Sequence, residues 1–392
     1  MIDYKRNVAL LSAAQALLLT NGVTLVAING LLGMQLAADK HFATLPLTTY
    51  VVGGAIATLP AAFFMKRFGR RAGFMLGGGM GLLGALVSAL GVALGSFWLL
   101  CLGTLFAGTY NAFGQQYRFA ATDACPPSWK SKAISLTLAG GILGGVLGPE
   151  TSKLTRTLLE PNYLASYLAL IAFAALSIAI ASRLDIPPLT VSEQKAQGRP
   201  LREIARQPAF IVAVVAAAAG YGVMNLLMTA TPLAMDYCGL PFSDTAFILQ
   251  WHVIGMFAPS FFTGDLIKRF GIEKILLTGA VLMATCVAIA LSGVTLMHFW
   301  WALVLLGIGW NFLFIGGTSL LTNTHRPEEK AKVQGTNDFI VLGVQGVTSL
   351  SSGALISGAG WYSLNTFALP AIALTGLTTL IWWLSRSQSK AS

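Results

Sequence analysis

Charge is what this sequence has least of. Asp, Glu, Lys and Arg together make up 10% of the 392 residues, where a soluble domain carries roughly 25%. Hydrophobic residues reach 55% and the mean hydropathy is +0.70, which excludes a water-soluble globular fold. Metal-ligand spacing is also missing. The four cysteines, Cys101, Cys125, Cys238 and Cys286, are scattered and read as small apolar packing residues. The apolar runs contain no nucleotide-binding loop and no nucleophile–His–acid set, so neither ATP drive nor enzymatic chemistry is expected, and no cofactor or metal. The net charge of +10 could suggest nucleic acid, but the basic residues fall in the gaps between apolar runs. They mark membrane topology instead.

Long apolar runs are what the chain has in abundance. A spanning helix takes about 20 apolar residues. The sequence predicts twelve, at 7–36, 43–65, 72–94, 97–119, 132–155, 162–182, 209–236, 243–267, 273–295, 298–322, 332–357 and 361–384. The first follows Met1–Arg6 without a small-residue cleavage site and reads as a retained helix. With the N-terminus inside, Lys40, Lys153 and Arg156 alone fall in outer segments, and the other 22 of the 25 Lys and Arg lie inside. The positive-inside rule then puts both termini in the cytoplasm. The loop 183–208 reads as a solvated linker with a short surface helix at 201–206. It divides the chain into an N-terminal bundle at 1–182 and a C-terminal bundle at 209–392.

The two bundles look like copies. Lys66-Arg67-Phe68-Gly69 returns as Lys268-Arg269-Phe270-Gly271, each between two apolar runs. Pro127…Lys130-Ser-Lys132 returns as Pro327…Lys330-Ala-Lys332, and Asn111 returns as Asn311, both pairs 200 residues apart. A parallel six-plus-six duplication is a transporter architecture, with its substrate site near the midplane.

The turn Ala62-Phe-Phe-Met-Lys66-Arg67-Phe-Gly69-Arg70-Arg71 resembles the inner-loop signature G-x-x-x-D-R-x-G-R-R of the major facilitator superfamily. Gly264-Asp-Leu-Ile-Lys268-Arg269-Phe-Gly271 resembles its second copy. Gly140-Gly141-Ile-Leu-Gly144-Gly145-Val-Leu-Gly148-Pro149 is similar to the family's helix-five motif, where small residues allow close packing and a bend. The resemblance covers essentially the whole chain. It implies an all-α membrane protein of twelve transmembrane helices in two six-helix pseudo-repeats. It also implies a cytoplasmic gate at Lys66, Arg67, Gly69, Arg70, Arg71, Lys268, Arg269, Gly271 and Asp338. The sequence departs from the signature in placing Lys66 and Lys268 where the family has Asp, and Ala62 for its first Gly, so the latch formed by that Asp is expected to differ here. The run Leu249-Gln250-Trp251-His252-Val253 through Pro259, with Thr44-Leu-Pro46 through Tyr50-Val-Val-Gly53, resembles a group of bacterial facilitators that includes riboflavin importers of the inner membrane.

Polar groups at mid-bilayer are costly and usually face a cavity or each other. The candidates for cargo contact are Asn21, Tyr50, Tyr110, Asn111, Asn225, Trp251, His252, Trp310 and Asn311. By the resemblance, helices one, four, seven and ten line the cavity, which favours the four asparagines. The competing reading for each is a hydrogen bond that packs neighbouring helices. Gln250 and Trp251 cannot share a helix face with His252. Glu150 is the deepest carboxylate the sequence picks out, and Glu150 and His252 are the candidates for a coupling proton. Asp338 is read as a cap or partner at the inner gate near Lys332, and Asp123 with Arg118 as a pair across the cytoplasmic face.

The inventory is rich in amides and aromatics and has no Lys or Arg in mid-helix. That disfavours phosphorylated cargo and suits a neutral planar solute. The first reading is a monomeric secondary importer working by alternating access, with riboflavin as its cargo and the lipid bilayer as its surroundings. The second is a proton-coupled exporter of drugs or metabolites, disfavoured by the absence of an acid in the core of helix one. A membrane receptor or enzyme is the reading from another class.

Overall fold

The computed structural model describes residues 3–39, 42, 45–123, 125–187 and 198–391. Residues 188–197 of the expected linker, and Lys40 and Thr44, lie outside them. The described residues contain no strand. A lipid core offers no partner to backbone N–H and C=O groups, so apolar runs of this length close their hydrogen bonds internally as helices.

The order is α1 (Tyr4–Leu36), α2 (Leu45–Phe68), α3 (Arg70–Ala93), α4 (Phe97–Gly114), α5 (Tyr117–Asp123), α6 (Lys130–Ala139), α7 (Gly141–Thr155), α8 (Leu164–Ala181), α9 (Leu201–Ala205), α10 (Pro208–Tyr237), α11 (Phe242–Phe257), α12 (Ser260–Phe270), α13 (Ile272–Ser292), α14 (Leu296–Leu321) and α15 (Lys330–Ala391). Each expected span has a helix beneath it, and α9 is the short helix expected at 201–206. Among the described residues ten stretches are long and apolar enough to cross a membrane. An eleventh arises if α11 and α12, bent by 41°, form one span. The remaining expected span, 97–119, is divided at Gln115–Gln116 into α4 and α5.

Interruptions follow residue chemistry. Pro259 starts the bend between α11 and α12, because it has no N–H to give the preceding turn. Gly360, at φ 77°, breaks α15. The two basic turns share one backbone shape: Gly69 has φ 86° and ψ 163°, and Gly271 has φ 91° and ψ 153°. A side chain there would be strained, so the repeated Gly lets each pair of helices reverse within one residue. Single 3₁₀ turns at Pro127–Trp129 and Pro327–Glu329 open α6 and α15, so the sequence repeat extends to local structure.

The chain forms two compact units. The first comprises Met1–Cys125, Gly140–Gln197 and Pro327–Phe339, and the second Pro126–Ala139, Gly198–Arg326 and Ile340–Ser392. The first unit therefore holds the opening turns of α15, and the second holds α6. Within the first, α7 packs closely on α1. A Cβ at Gly144 would lie 2.6 Å from the Ala16 carbonyl oxygen, so the small residues of the helix-five motif set that approach.

Candidate functional site

In the first unit α1, α2 and α4 bring three candidates together. A Cβ on Gly22 would lie 3.1 Å from the Tyr50 hydroxyl, which places that hydroxyl against α1 at the residue following Asn21. One turn further along α2, a Cβ on Gly54 would lie 3.8 Å from Asn111 Nδ2. Asn111 is half-buried, and its Oδ1 accepts from Gln115 Nε2 at 3.3 Å. Its Nδ2, and the whole amide of buried Asn21, make no hydrogen bond to a described residue. Tyr110 points elsewhere, since neighbours on a helix diverge by roughly 100°. Its hydroxyl donates to Ser177 Oγ on α8 at 2.9 Å. Tyr110 therefore packs the bundle, while Asn111 offers an open amide.

The second unit gathers the aromatic candidates. Trp310 of α14 stacks on Phe314 with centroids 5.0 Å apart and 17° between planes. Tyr221 of α10 meets both edge-on, at 5.4 Å and 5.2 Å, and Phe257 of α11 meets Trp310 at 5.6 Å. The sequence reading missed Phe257 and Phe314. Spacing of four residues from Trp310 on one helix face could have found Phe314. Trp310 Nε1 is enclosed without a hydrogen-bond partner. His252 is fully enclosed too. Its Nδ1 lies 2.8 Å from the Leu303 carbonyl oxygen, and its Nε2 has no partner. A carbonyl can only accept, so Nδ1 carries the proton and Nε2 of the neutral ring is an acceptor. Trp251 is 39% exposed and meets Phe247 and Trp300, on a different face from His252.

Two asparagines of this unit are committed to packing. Asn225 Nδ2 donates to the Gln345 carbonyl at 3.1 Å and to Thr348 Oγ1 at 3.3 Å. Asn311 Nδ2 donates to the Met256 carbonyl and to Ser260 Oγ, each at 2.6 Å, and its Oδ1 accepts from Thr263 Oγ1 at 2.7 Å. It thus replaces backbone hydrogen bonds around the Ala258–Pro259 bend. Asn311→Ala leaves these buried groups unpaired and is expected to cost about 1–3 kcal/mol. A thermal melt of the purified variant checks this, and an unchanged Tm would refute the bracing role.

At the end of the first unit that carries its basic turn lies a polar network. Arg118, 2% exposed, donates from Nη2 to Asp338 Oδ1, and Asp338 is 1% exposed. Asp338 also accepts from Gln116 Nε2 at 2.6 Å and from Asn337 Nδ2 at 3.0 Å. Arg70 donates to Asp123 Oδ2 at 3.0 Å, to Gln116 Oε1 at 2.8 Å and to Gln334 Oε1 at 2.7 Å. Lys330 completes the set on Asp123 Oδ1 at 2.9 Å. The expected Arg118–Asp123 pair does not form, because the two lie on different faces of the short α5 and each meets α15 separately. Glu150 is exposed, whereas Asp338 and Glu329 are enclosed. No group of three or more His, Cys, Asp or Glu placed to hold a metal occurs among the described residues.

The Major Facilitator Superfamily family model matches residues 10–344. The chain belongs to that superfamily. It is a multi-pass membrane protein and a secondary transporter. The riboflavin transporter RfnT of Brucella anthropi is 42% identical over 373 residues, covering 94% of each chain. An uncharacterized transporter of the superfamily from Bacillus subtilis, YddS, is 29% identical over 93% of this chain and 88% of its own. The crystal structure of the Escherichia coli fucose:proton symporter FucP matches with a TM-score of 0.79 over 96% of this chain and 98% of that one. At 19% identity that likeness shows the fold alone.

In this facilitator Asp123 has a pH signature. Burial alone would push its carboxyl up, but the charges of Arg70 and Lys330 outweigh that and hold it below the usual carboxylate value. A carboxyl depressed in the folded state stabilises at pH above its unfolded value, and that contribution is lost as pH falls through the folded value. The Tm gap between wild type and Asp123→Asn is therefore expected to be constant above about pH 5 and to close below about pH 4. A gap independent of pH down to acid unfolding would show that the ion pairs carry no stability.

Proposed function

We propose that this transporter imports riboflavin across a bacterial inner membrane by alternating access, with both termini in the cytoplasm and two six-helix halves at 1–182 and 209–392. The observation that carries the cargo is the 42% identity to RfnT over 94% of both chains. Side-chain chemistry agrees with it. The isoalloxazine ring is flat, uncharged and edged with hydrogen-bonding groups, and it suits aromatic faces with a few amides. Tyr221, half-buried at the edge of the Trp310 cluster, supplies such a face; the Asn21 amide and the Asn111 Nδ2 make no hydrogen bond to a described residue. We assign cargo contact to Asn21, Tyr50, Asn111 and Tyr221, and the inner gate to Arg70, Arg118, Asp123, Lys330 and Asp338. Asn225, Asn311 and Tyr110 hold the bundle that presents them.

Growth of a riboflavin auxotroph at limiting riboflavin tests the reading. Expression of the chain is expected to restore growth and the uptake of labelled riboflavin. No rescue despite confirmed membrane expression would overturn the cargo. Asn111→Ala, which removes an amide whose Nδ2 is unbonded and whose Oδ1 accepts only from half-buried Gln115, is expected to lower uptake about tenfold with little change in Tm.

A further inference from the structure

The two basic turns share Lys-Arg-Phe-Gly but not their surroundings. In the second unit Lys268 has partners of opposite character. Asp265 Oδ1 lies 3.9 Å from its Nζ, and the Trp129 ring lies 5.7 Å from it. The other oxygen of Asp265 accepts from Lys132 at 2.8 Å. In the first unit the residue corresponding to Asp265, 202 positions earlier, is Phe63. Lys66 has no hydrogen bond, ion pair or ring contact with any described residue.

Lys66 nevertheless does not extend freely into solvent. It is half-buried and lines a cavity of about 30 Å³ with Arg70, Lys330, Ala331 and Asp123, room for about two water molecules. Three cations and one carboxylate line this space, and the carboxylate is already shared between Arg70 and Lys330. Arg70 also donates to Gln116, Gln334 and Met65 Sδ. Ala331 lies in the first turn of α15, whose N-terminal end adds partial positive charge. Unscreened like charges in a half-buried cavity repel, and a bound anion relieves that repulsion.

We propose that this cavity is a receptor for a phosphate group, held mainly by Lys66 and Lys330 and supplied either by inorganic phosphate or by an anionic lipid headgroup. Ammonium groups bind phosphate as point charges without needing a fixed donor plane. Both have donor capacity left, since Lys66 donates to no described residue and the Lys330 ammonium donates to Asp123 Oδ1. The assignment is independent of the cargo.

Phosphate titration of the purified full chain in detergent, at ionic strength matched with chloride, tests it through Tm. Wild type is expected to show a saturable rise. Lys66→Gln is expected to weaken the apparent affinity about tenfold, the loss of one charge-assisted contact. Lys66→Arg and Lys268→Gln are expected to keep the wild-type response. Native mass spectrometry after mild solubilisation distinguishes the source. Phosphatidylglycerol retained by wild type and lost from Lys66→Gln identifies a headgroup. A phosphate-dependent rise without retained phosphatidylglycerol identifies the free ion. Equal phosphate responses and equal lipid retention in wild type and Lys66→Gln, or no binding of either probe to wild type, would overturn the proposal. If Lys66→Gln fails to fold, loss of the response in Lys268→Gln would overturn it as well, because the twin turn would then carry the effect.

Discussion

Asp338→Asn is expected to destabilise the folded chain by about 3–5 kcal/mol and to reduce uptake more than any other single change in the inner network. The pair it breaks is enclosed on both sides, with Arg118 2% and Asp338 1% exposed. Removing the carboxylate charge leaves a guanidinium in a low-dielectric setting without its counter-ion. The new amide also fails geometrically. Asp338 accepts from Arg118, Gln116 and Asn337 with its two oxygens, whereas Asn has one oxygen, so at least one donor meets another donor. Replacing both partners, as in Arg118→Leu with Asp338→Leu, is expected to recover most of the lost stability, because no charge is then stranded. Thermal melts of the two single variants and the double variant complete the cycle. A double variant no more stable than Asp338→Asn would mean that the pair is not the source of the loss. Uptake separates gate from scaffold. If the pair closes the inner side during transport, the double variant regains stability without regaining uptake.

Trp310→Phe should divide binding from packing in the second unit. Trp310 stacks on Phe314 and meets Tyr221 and Phe257 edge-on, so Trp310→Ala is expected to cost about 3–5 kcal/mol through the cavity it opens. Phe keeps most of that ring contact. It also removes an indole N–H that has no partner in the enclosed cluster. A buried unpaired donor costs about 1–3 kcal/mol, so its loss offsets part of the reduced packing, and the Tm of Trp310→Phe is expected to stay near wild type. Uptake of labelled riboflavin is nevertheless expected to fall about tenfold, through KM, if the N–H meets cargo in another stage of the cycle. Unchanged KM with unchanged Tm would assign Trp310 to packing alone. His252→Phe forms the parallel test, since His252 Nε2 is likewise enclosed and unpartnered.

The candidate site was legible in kind but not in assignment. Asn111 and Asn311 are equivalent by spacing, and nothing local distinguishes them. Asn111 keeps a free Nδ2, while Asn311 braces the bend at Pro259. The second copy has a Pro where α11 meets α12, and the Met256 carbonyl with the Ser260 and Thr263 hydroxyls around that bend claim the amide. Tyr110 and Asn111 are adjacent in sequence yet face different helices. Asp123, Arg118 and Asp338 were all recognised as inner-side charges, but their partners were not, because the bonds span 53, 207 and 220 residues.

Read without coordinates, the sequence identifies a twelve-span membrane transporter built from a duplicated half, and leads to the expectation that its basic turns lie on the cytoplasmic side. Those properties depend on local composition: apolar length against bilayer thickness, and Lys and Arg counts per loop. Only the tertiary structure decided which polar groups remain open. That choice depends on how each helix is rotated about its axis and how deeply it packs, and a roughly 100° step per residue can turn a candidate from a neighbouring helix to an unpartnered face. Lys66 and Lys268 differ for a sequence reason as well: Asp265 pairs with Lys268, whereas Phe63 stands at the corresponding place before Lys66, which lines a cavity with Arg70 and Lys330.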